Sequence, residues 1–251
     1  MAQKLYNMKA EVKQLAEMIA SSSSIVFFGG AGVSTESGIP DFRSATGLYH
    51  QEFPYPPEVM ISREFFESNT EEFYRFYRKK MIHPNVKPNL AHLALAKLEA
   101  AGKLKAVITQ NIDGLHQAAG SKNVLELHGS VYRNFCIGCK TPHSVEIIGE
   151  TGVPTCNCGN TVKPDVVLYG EQLNEDTIAK AVQHIAEADM LIVGGTSLSV
   201  YPAAGFLNYF QGSKLVLLNK TKTPYDKYAT LVIRDSIGQV LGEIHTHCSL
   251  F

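Results

Sequence analysis

The sequence predicts an α/β fold: a parallel sheet with helices on both faces, joined to a smaller metal-holding domain. Short apolar runs alternate with helical patterns, a glycine-rich turn follows the first run, and a block of paired cysteines interrupts the alternation. Alternation of buried strands with helices favours parallel pairing, because each return to the sheet crosses over through a helix. At 251 residues with 45% hydrophobic content, the chain can build one large core and carry an insertion.

The elements follow in order. The segment MAQKLYNMKAEVKQLAEMIA has Leu15, Met18 and Ile19 at helical spacing among charges, which reads as an amphipathic helix rather than a signal peptide. The serines at 21–24 read as a solvated connection. The runs IVFF at 25–28, AVIT at 106–109, VLEL at 124–127, VVLY at 166–169, MLIV at 190–193 and LVLL at 215–218 are expected as strands. Between the first two lies a helical excursion over 57–101, whose Phe65, Phe66, Phe73, Phe76 and Tyr77 read as a small core rather than a base-stacking platform. Residues 131–164 show little sheet pattern and read as a separate module. The expected division gives 1–44, 85–130 and 165–251 to the sheet domain, with the helical insertion 45–84 and the module 131–164 forming the small domain.

A formal net charge of −1 implies no field that would gather nucleic acid or anionic membrane. The best apolar stretch, at 190–193, is soon broken by glycines and hydroxyl residues, so no membrane span is expected. A cytoplasmic protein is expected, with its five cysteines as reduced thiols or metal ligands, and a monomer is the default.

The turn after the first strand reads GGAGVSTESGIPDFRS over 29–44. Gly30-Ala31-Gly32 matches the first two glycines of the dinucleotide fingerprint, but Thr35 stands where the third small residue belongs. A helix starting near Ser34 would offer its positive end to a pyrophosphate, and an ordinary strand-to-helix turn fits the glycines equally well. A hydride-transferring enzyme would continue into a long helix and a second strand ending in an acidic residue about twenty positions on. Pro40 instead pushes Ile39 out of helical geometry, so that reading fails. Asp41-Phe42-Arg43 is expected to form part of a mobile lid over whatever the glycines hold.

Cys136 and Cys139, then Cys156 and Cys158, supply two thiolate pairs at the separation a tetrahedral zinc site requires. Four protein ligands close the coordination sphere, so the zinc is expected to be structural. A nucleic-acid-binding ribbon is disfavoured because Arg133, Lys140 and Lys163 are balanced by Glu146, Glu150 and Asp165. Cys248, near His245 and His247, reads as a frayed terminus, with a second metal site as the alternative.

The strand at 106–109 runs into TQNIDGLHQAAG, which places Gln110, Asn111 and Asp113 at the carboxyl edge of the sheet, where open α/β folds bind ligands. For Asp113 the alternative is a helix cap ahead of Gly114, and His116 reads as packed or superficial. His128, beside Gly129 at another strand end, is a general-base candidate because an imidazole near its ordinary pKa is largely neutral at working pH.

Together these segments resemble the sirtuins, the NAD-dependent protein-lysine deacylase family. The resemblance runs through GAGVSTESGIPDFR at 30–43, TQNIDGLH at 109–116, His128-Gly129, the four cysteines, KPDVVLYGE at 163–171, GTSLSVYPAAG at 195–205 and LLN ending at Asn219. It implies an inverted Rossmann-like NAD-binding domain, a small zinc-containing domain, and a cleft between them. It also implies that Gly30, Ala31, Gly32, Thr35, Gln110, Thr196, Ser197, Asn219 and Ile237 contact NAD, and that Asp41, Phe42, Arg43, Asn111, Ile112 and Asp113 surround its nicotinamide end. The acyl-lysine peptide is expected as an added strand along Val167, Tyr169 and Gly170 on one side and Ser199, Val200 and Tyr201 on the other.

The implied reaction removes acetyl or similar neutral acyl groups from lysine, releasing nicotinamide and the acylated ADP-ribose ester. Asn111 and Asp113 hold the carboxamide, Phe42 shields the sugar from water, and His128 takes a proton from the ribose hydroxyls. Relatives that prefer acidic acyl groups carry Tyr and Arg three residues apart. Here Tyr49 is followed by Glu52 and Tyr55 by Glu58, so acetyl is expected over succinyl. Some relatives place Asp just before the aliphatic adenine contact, whereas this chain has Ser236-Ile237 with Asp235 one position earlier. The competing readings are a protein ADP-ribosyltransferase, a noncatalytic NAD or ADP-ribose sensor, and a zinc-ribbon adaptor.

Overall fold

The structure, a computed structural model, describes residues 8–42, 47 and 54–247, of His247 the backbone only. Helix α1 (Ala10–Ala20) buries Val12, Leu15, Ala16 and Ile19, the apolar stripe its spacing creates, and leads into the fully buried strand β1 (Ile25–Gly29). β1 pairs in parallel with β2 (Leu104–Thr109) on one side and β7 (Met190–Gly194) on the other. β3 (Val124–Glu126), β8 (Lys214–Leu218) and β9 (Leu231–Ile233) extend the sheet to the order β3-β2-β1-β7-β8-β9.

Both faces of this sheet are covered, which is why its central strands read as unbroken apolar runs. Ile25 and Phe27 point into one core with Leu15 and Ile19 of α1, Leu95 and Leu98 of α5 (Leu90–Ala100), and Val240 and Leu241 of α8 (Ile237–His247). Val26 and Phe28 point into the other, with Ala181 and Ile185 of α7 (Glu175–Glu187) and with Phe206 and Leu207 of the 3-10 segment Ala203–Tyr209.

The second sheet is antiparallel, with β4 (Gly129–Cys136) between β5 (Pro142–His143) and β6 (Val162–Val166). Against it pack the short helix α2 (Pro57–Met60) and helices α3 (Arg63–Ser68) and α4 (Thr70–Lys80), through a core of Phe65, Phe66, Phe73, Tyr74, Phe76 and Tyr77 with Val131 and Val166. Phe66 meets Phe73 edge-on at 5.0 Å and Phe73 stacks on Tyr77 at 5.6 Å, so the expected role of these aromatics as a core is met. The Tyr74 hydroxyl donates to the Val162 carbonyl, tying α4 to β6.

Several expectations are corrected. The run 166–169 is not a strand of the parallel sheet: β6 ends at Val166 and belongs to the antiparallel sheet, and Tyr169 makes only an isolated bridge to Ser62. A four-residue apolar run carries no information about which sheet it joins. The 131–164 module contains a three-stranded sheet where little pattern is visible, because the β4 ladder is irregular between Gly129 and Asn134. No α-helix begins near Ser34. The chain makes two 3-10 turns, Ala31–Val33 and Thr35–Ser37, and leaves through Gly38 at φ +92° toward Pro40. Leu231–Ile233, too short to stand out, is the sixth parallel strand.

Candidate active site

The order of the parallel sheet reverses between β1 and β7, which opens a crevice at their carboxyl ends. The register makes the site: Gly29 pairs with Thr109 on one side and Gly194 on the other, so three motif segments leave the sheet at one level. The Gln110 amide donates to the Gly29 carbonyl at 2.9 Å, and the Gly30 amide to the Gly194 carbonyl at 3.2 Å. Gly32 lies so close to Gly195 that a Cβ there would stand 2.7 Å from its Cα, and Gly195 itself has φ +61°. Glycine at 32 and 195 is thus required by the contact between two turns.

Ser34, Asn111 and Asp113 form one network. The buried Ser34 hydroxyl donates to Asp113 Oδ2 at 2.6 Å and accepts from Asn111 Nδ2 at 3.0 Å. Asp113 Oδ1 accepts the Leu115 amide at 2.9 Å ahead of α6 (Leu115–Ala118), whose N-cap is Gly114, so Asp113 braces the helix start from one position before the cap and keeps the Ser34 bond. Ser34 carries no separate role in the sequence reading; only folding brings it to residues 77 and 79 positions away.

His128 follows β3 and its Nδ1 lies 2.9 Å from the Gln110 carbonyl. A carbonyl only accepts, so Nδ1 carries the proton and Nε2 keeps its lone pair. Burial pushes the His128 pKa below its ordinary value, opposed by the bond to Gln110. The net lowering leaves the imidazole neutral, and the bond to Gln110 orients it as a base.

The remaining predicted residues are distributed around this centre. Thr35 Oγ1 donates back to the Gly32 carbonyl at 3.0 Å, and Gln110 Nε2 donates to Thr196 Oγ1 at 3.3 Å. Ser197 and Ser199 share a hydroxyl bond of 2.6 Å, and Asn219 Nδ2 donates to the Thr221 carbonyl at 3.1 Å. Among the described residues, the amides of Ala31, Thr196 and Ser197 meet no protein acceptor, which suits an anionic diphosphate. Phe42 and Ile112 pack at the edge of the aromatic core, and Asp41 lies against Gly47. The Ile237 side chain is buried in the sheet core against Gly194, so a ligand contact there would fall to its backbone. Asp235 is paired with Lys9 at 2.6 Å.

Val167 is joined to His128 through its amide at 3.0 Å, and Gly170 is exposed. Both backbone groups of Tyr169 are taken, by Ile61 and Arg63, so strand addition at that residue is closed. Ser199 and Tyr201 are exposed and Val200 is half-buried. Arg43, Tyr49, Glu52 and Cys248 lie outside the described residues. His116 is buried, 4.7 Å from His92 between ring centres, so the packed alternative holds.

The sulfurs of Cys136, Cys139, Cys156 and Cys158 lie within 4.8 Å of one another and form no disulfide. Cys136 and Cys158 are 3.4 Å apart and Cys139 and Cys156 3.7 Å. Four sulfurs at about 2.3 Å from a central zinc stand about 3.8 Å apart, so the donor set fits a closed tetrahedral site.

The Sir2 family model matches residues 30–202, the stretch that holds most of the crevice and all four cysteines. The chain belongs to the Sir2 family. Among Sir2 relatives, an NAD-dependent protein deacetylase of Clostridium acetobutylicum is 60% identical over 239 residues, covering 93% of this chain and 98% of the relative. One from Clostridium tetani is 61% identical over 237 residues, covering 92% and 96%. Of solved structures, a Sir2 variant with a deacetylated p53 peptide and 3'-O-acetyl ADP-ribose superposes with a TM-score of 0.88 at 40% identity, covering 95% and 98% of the chains. A Sir2 complex with a p53 peptide and NAD+ gives a TM-score of 0.84 at 41% identity, again covering 95% and 98%.

Proposed function

We propose that this Sir2-family chain is an NAD-dependent protein-lysine deacetylase, consuming NAD and releasing nicotinamide and O-acetyl-ADP-ribose, with His128 as its base. The observation that carries the assignment of His128 is its hydrogen bond to the Gln110 carbonyl, which leaves Nε2 free to take a proton. Asn111 and Asp113, braced by Ser34, hold the nicotinamide carboxamide as it departs. Phe42 excludes water from the exposed sugar carbon, and the Ala31, Thr196 and Ser197 amides take the diphosphate. The acyl-lysine peptide lies between the 167–170 edge and the 199–201 segment. Cys136, Cys139, Cys156 and Cys158 hold a structural zinc that keeps the small sheet folded.

Incubation with an acetyl-lysine peptide, with and without NAD, followed by nicotinamide release and peptide mass, tests the reading. Loss of the acetyl mass from the peptide supports deacetylation; a gain of ADP-ribose on the peptide points to the transferase, and no turnover points to a sensor. We also take the enzyme to be cytoplasmic, in keeping with a cysteine cluster that forms no disulfide, and monomeric by default; cell fractionation and light scattering check these two readings. No helix among the described residues is long and apolar enough to cross a membrane.

A further inference from the structure

The turn from β6 to Glu171 joins His128 to the proposed peptide edge and is held by an ion pair. Lys163 Nζ donates to Glu171 Oε2 at 3.1 Å, to the Val166 carbonyl at 3.0 Å and to the Pro164 carbonyl at 3.2 Å, which uses all three donors of the ammonium. The side chains are 11% and 20% exposed, and the ammonium also sits 5.8 Å over the Phe135 ring. Glu171 Oε2 accepts the Leu168 amide at 2.9 Å, and the Glu171 amide donates to the Leu168 carbonyl at 2.9 Å.

These bonds sort the backbone of the edge. Leu168 is closed on Glu171, Tyr169 is closed on Ile61 and Arg63, and the Val167 amide is given to the His128 carbonyl. The Val167 carbonyl and the Gly170 amide have no protein partner among the described residues, and Gly170 holds φ +88°. A donor and an acceptor left on one short edge are what strand addition requires.

We propose that Lys163 and Glu171 are positioning residues for acyl-lysine recognition: their ion pair shapes the 167–170 turn so that the Val167 carbonyl and Gly170 amide stay offered to the peptide, in register with His128. The inference rests on the deacetylase reading and extends it to two residues outside the expected NAD and peptide contacts. A polar staple that only stabilises the small domain would weaken every ligand together, whereas a positioning pair weakens the peptide alone.

The test measures binding of a fluorescent acetyl-lysine peptide by anisotropy and of NAD by calorimetry, with melting temperatures alongside. Glu171→Ala and Lys163→Met are expected to weaken the peptide about tenfold while NAD affinity stays within about twofold. Glu171→Gln, which keeps an acceptor for the Leu168 amide, and Lys163→Arg are expected to recover most of the loss. Unchanged peptide affinity in Glu171→Ala overturns the proposal, and so does an equal loss for both ligands or a loss that Glu171→Gln and Lys163→Arg fail to recover. A wild-type protein that binds the peptide but leaves its acetyl group in place would instead sink the deacetylase reading, with the positioning role still measurable.

Discussion

His128 Nδ1 sits 2.9 Å from the carbonyl of Gln110, the residue that directly follows β2. One bond therefore fixes both the tautomer and the orientation of the imidazole against the strand that also carries Asn111 and Asp113. His128→Ala is expected to lower the deacetylation rate by about 10²- to 10⁴-fold with the fold retained, the usual range for a general base. Because burial lowers the His128 pKa, the base form persists below the ordinary histidine range, and the acid limb of kcat/KM should fall below about pH 6.5. A folded His128→Ala enzyme with near-normal turnover would remove the assignment.

Ser34 braces Asp113 through a 2.6 Å bond to a carboxylate oxygen. Hydrogen bonds to charged groups contribute about 1.5–3 kcal/mol, so Ser34→Ala should lower nicotinamide release about tenfold to a hundredfold. Quench-flow measurement of the nicotinamide burst checks this, and an unaltered burst would show that Asp113 needs no brace.

His92 and His116 predict an acid sensitivity unrelated to catalysis. Burial first, and for His116 also the charge on His92, pushes their pKa values down to about 4 and about 3. A depressed histidine pKa means the unfolded chain binds the proton more readily, so stability is full above about pH 6.5 and declines as pH falls toward those values. Both His116 ring nitrogens are buried without a partner among the described residues, so His116→Leu should flatten the decline in urea midpoint between pH 7 and pH 5. An unchanged slope would place the acid sensitivity elsewhere.

The proposed zinc site predicts that removing the metal unfolds part of the molecule. Structural zinc contributes roughly 10–16 kcal/mol in small peptides, and beneath the knuckles lies only a small apolar cluster among the described residues, Cys136, Cys156 and Val162 with Ile147 packed against it. With chelator, or in Cys156→Ser, the expected result is loss of bound zinc and of hydrogen-exchange protection over 129–166, with β1 and β7 still protected. Protection that survives complete zinc loss would show that the aromatic core suffices.

Acyl preference follows from an absent pair. Tyr55 is half exposed, its ring 5.3 Å from Phe65, and the residue three positions on is Glu58. No guanidinium accompanies that hydroxyl at the spacing used for acidic acyl groups, so kcat/KM should favour acetyl over succinyl on matched peptides. Faster desuccinylation would reverse the conclusion.

Legibility differed by kind of residue. IVFF at 25–28 and MLIV at 190–193 declared themselves because a strand covered on both faces must be apolar at every position. The cysteine spacing declared its cluster because each tight turn presents two sulfurs together. VVLY at 166–169 misled for the same reason, since an apolar run says that it is buried and not against what.

The residues alone determined which groups are the candidates for the chemistry: His128, Asn111, Asp113, the glycines at 30 and 32, and the four clustered cysteines. The tertiary structure alone decided how they meet. The level pairing of Gly29 with Thr109 and Gly194, the Ser34 bridge and the Lys163–Glu171 pair all depend on sheet register and chain crossing. Such contacts leave no local period in a sequence, because register is set by the packing of whole faces and not by neighbours along the chain.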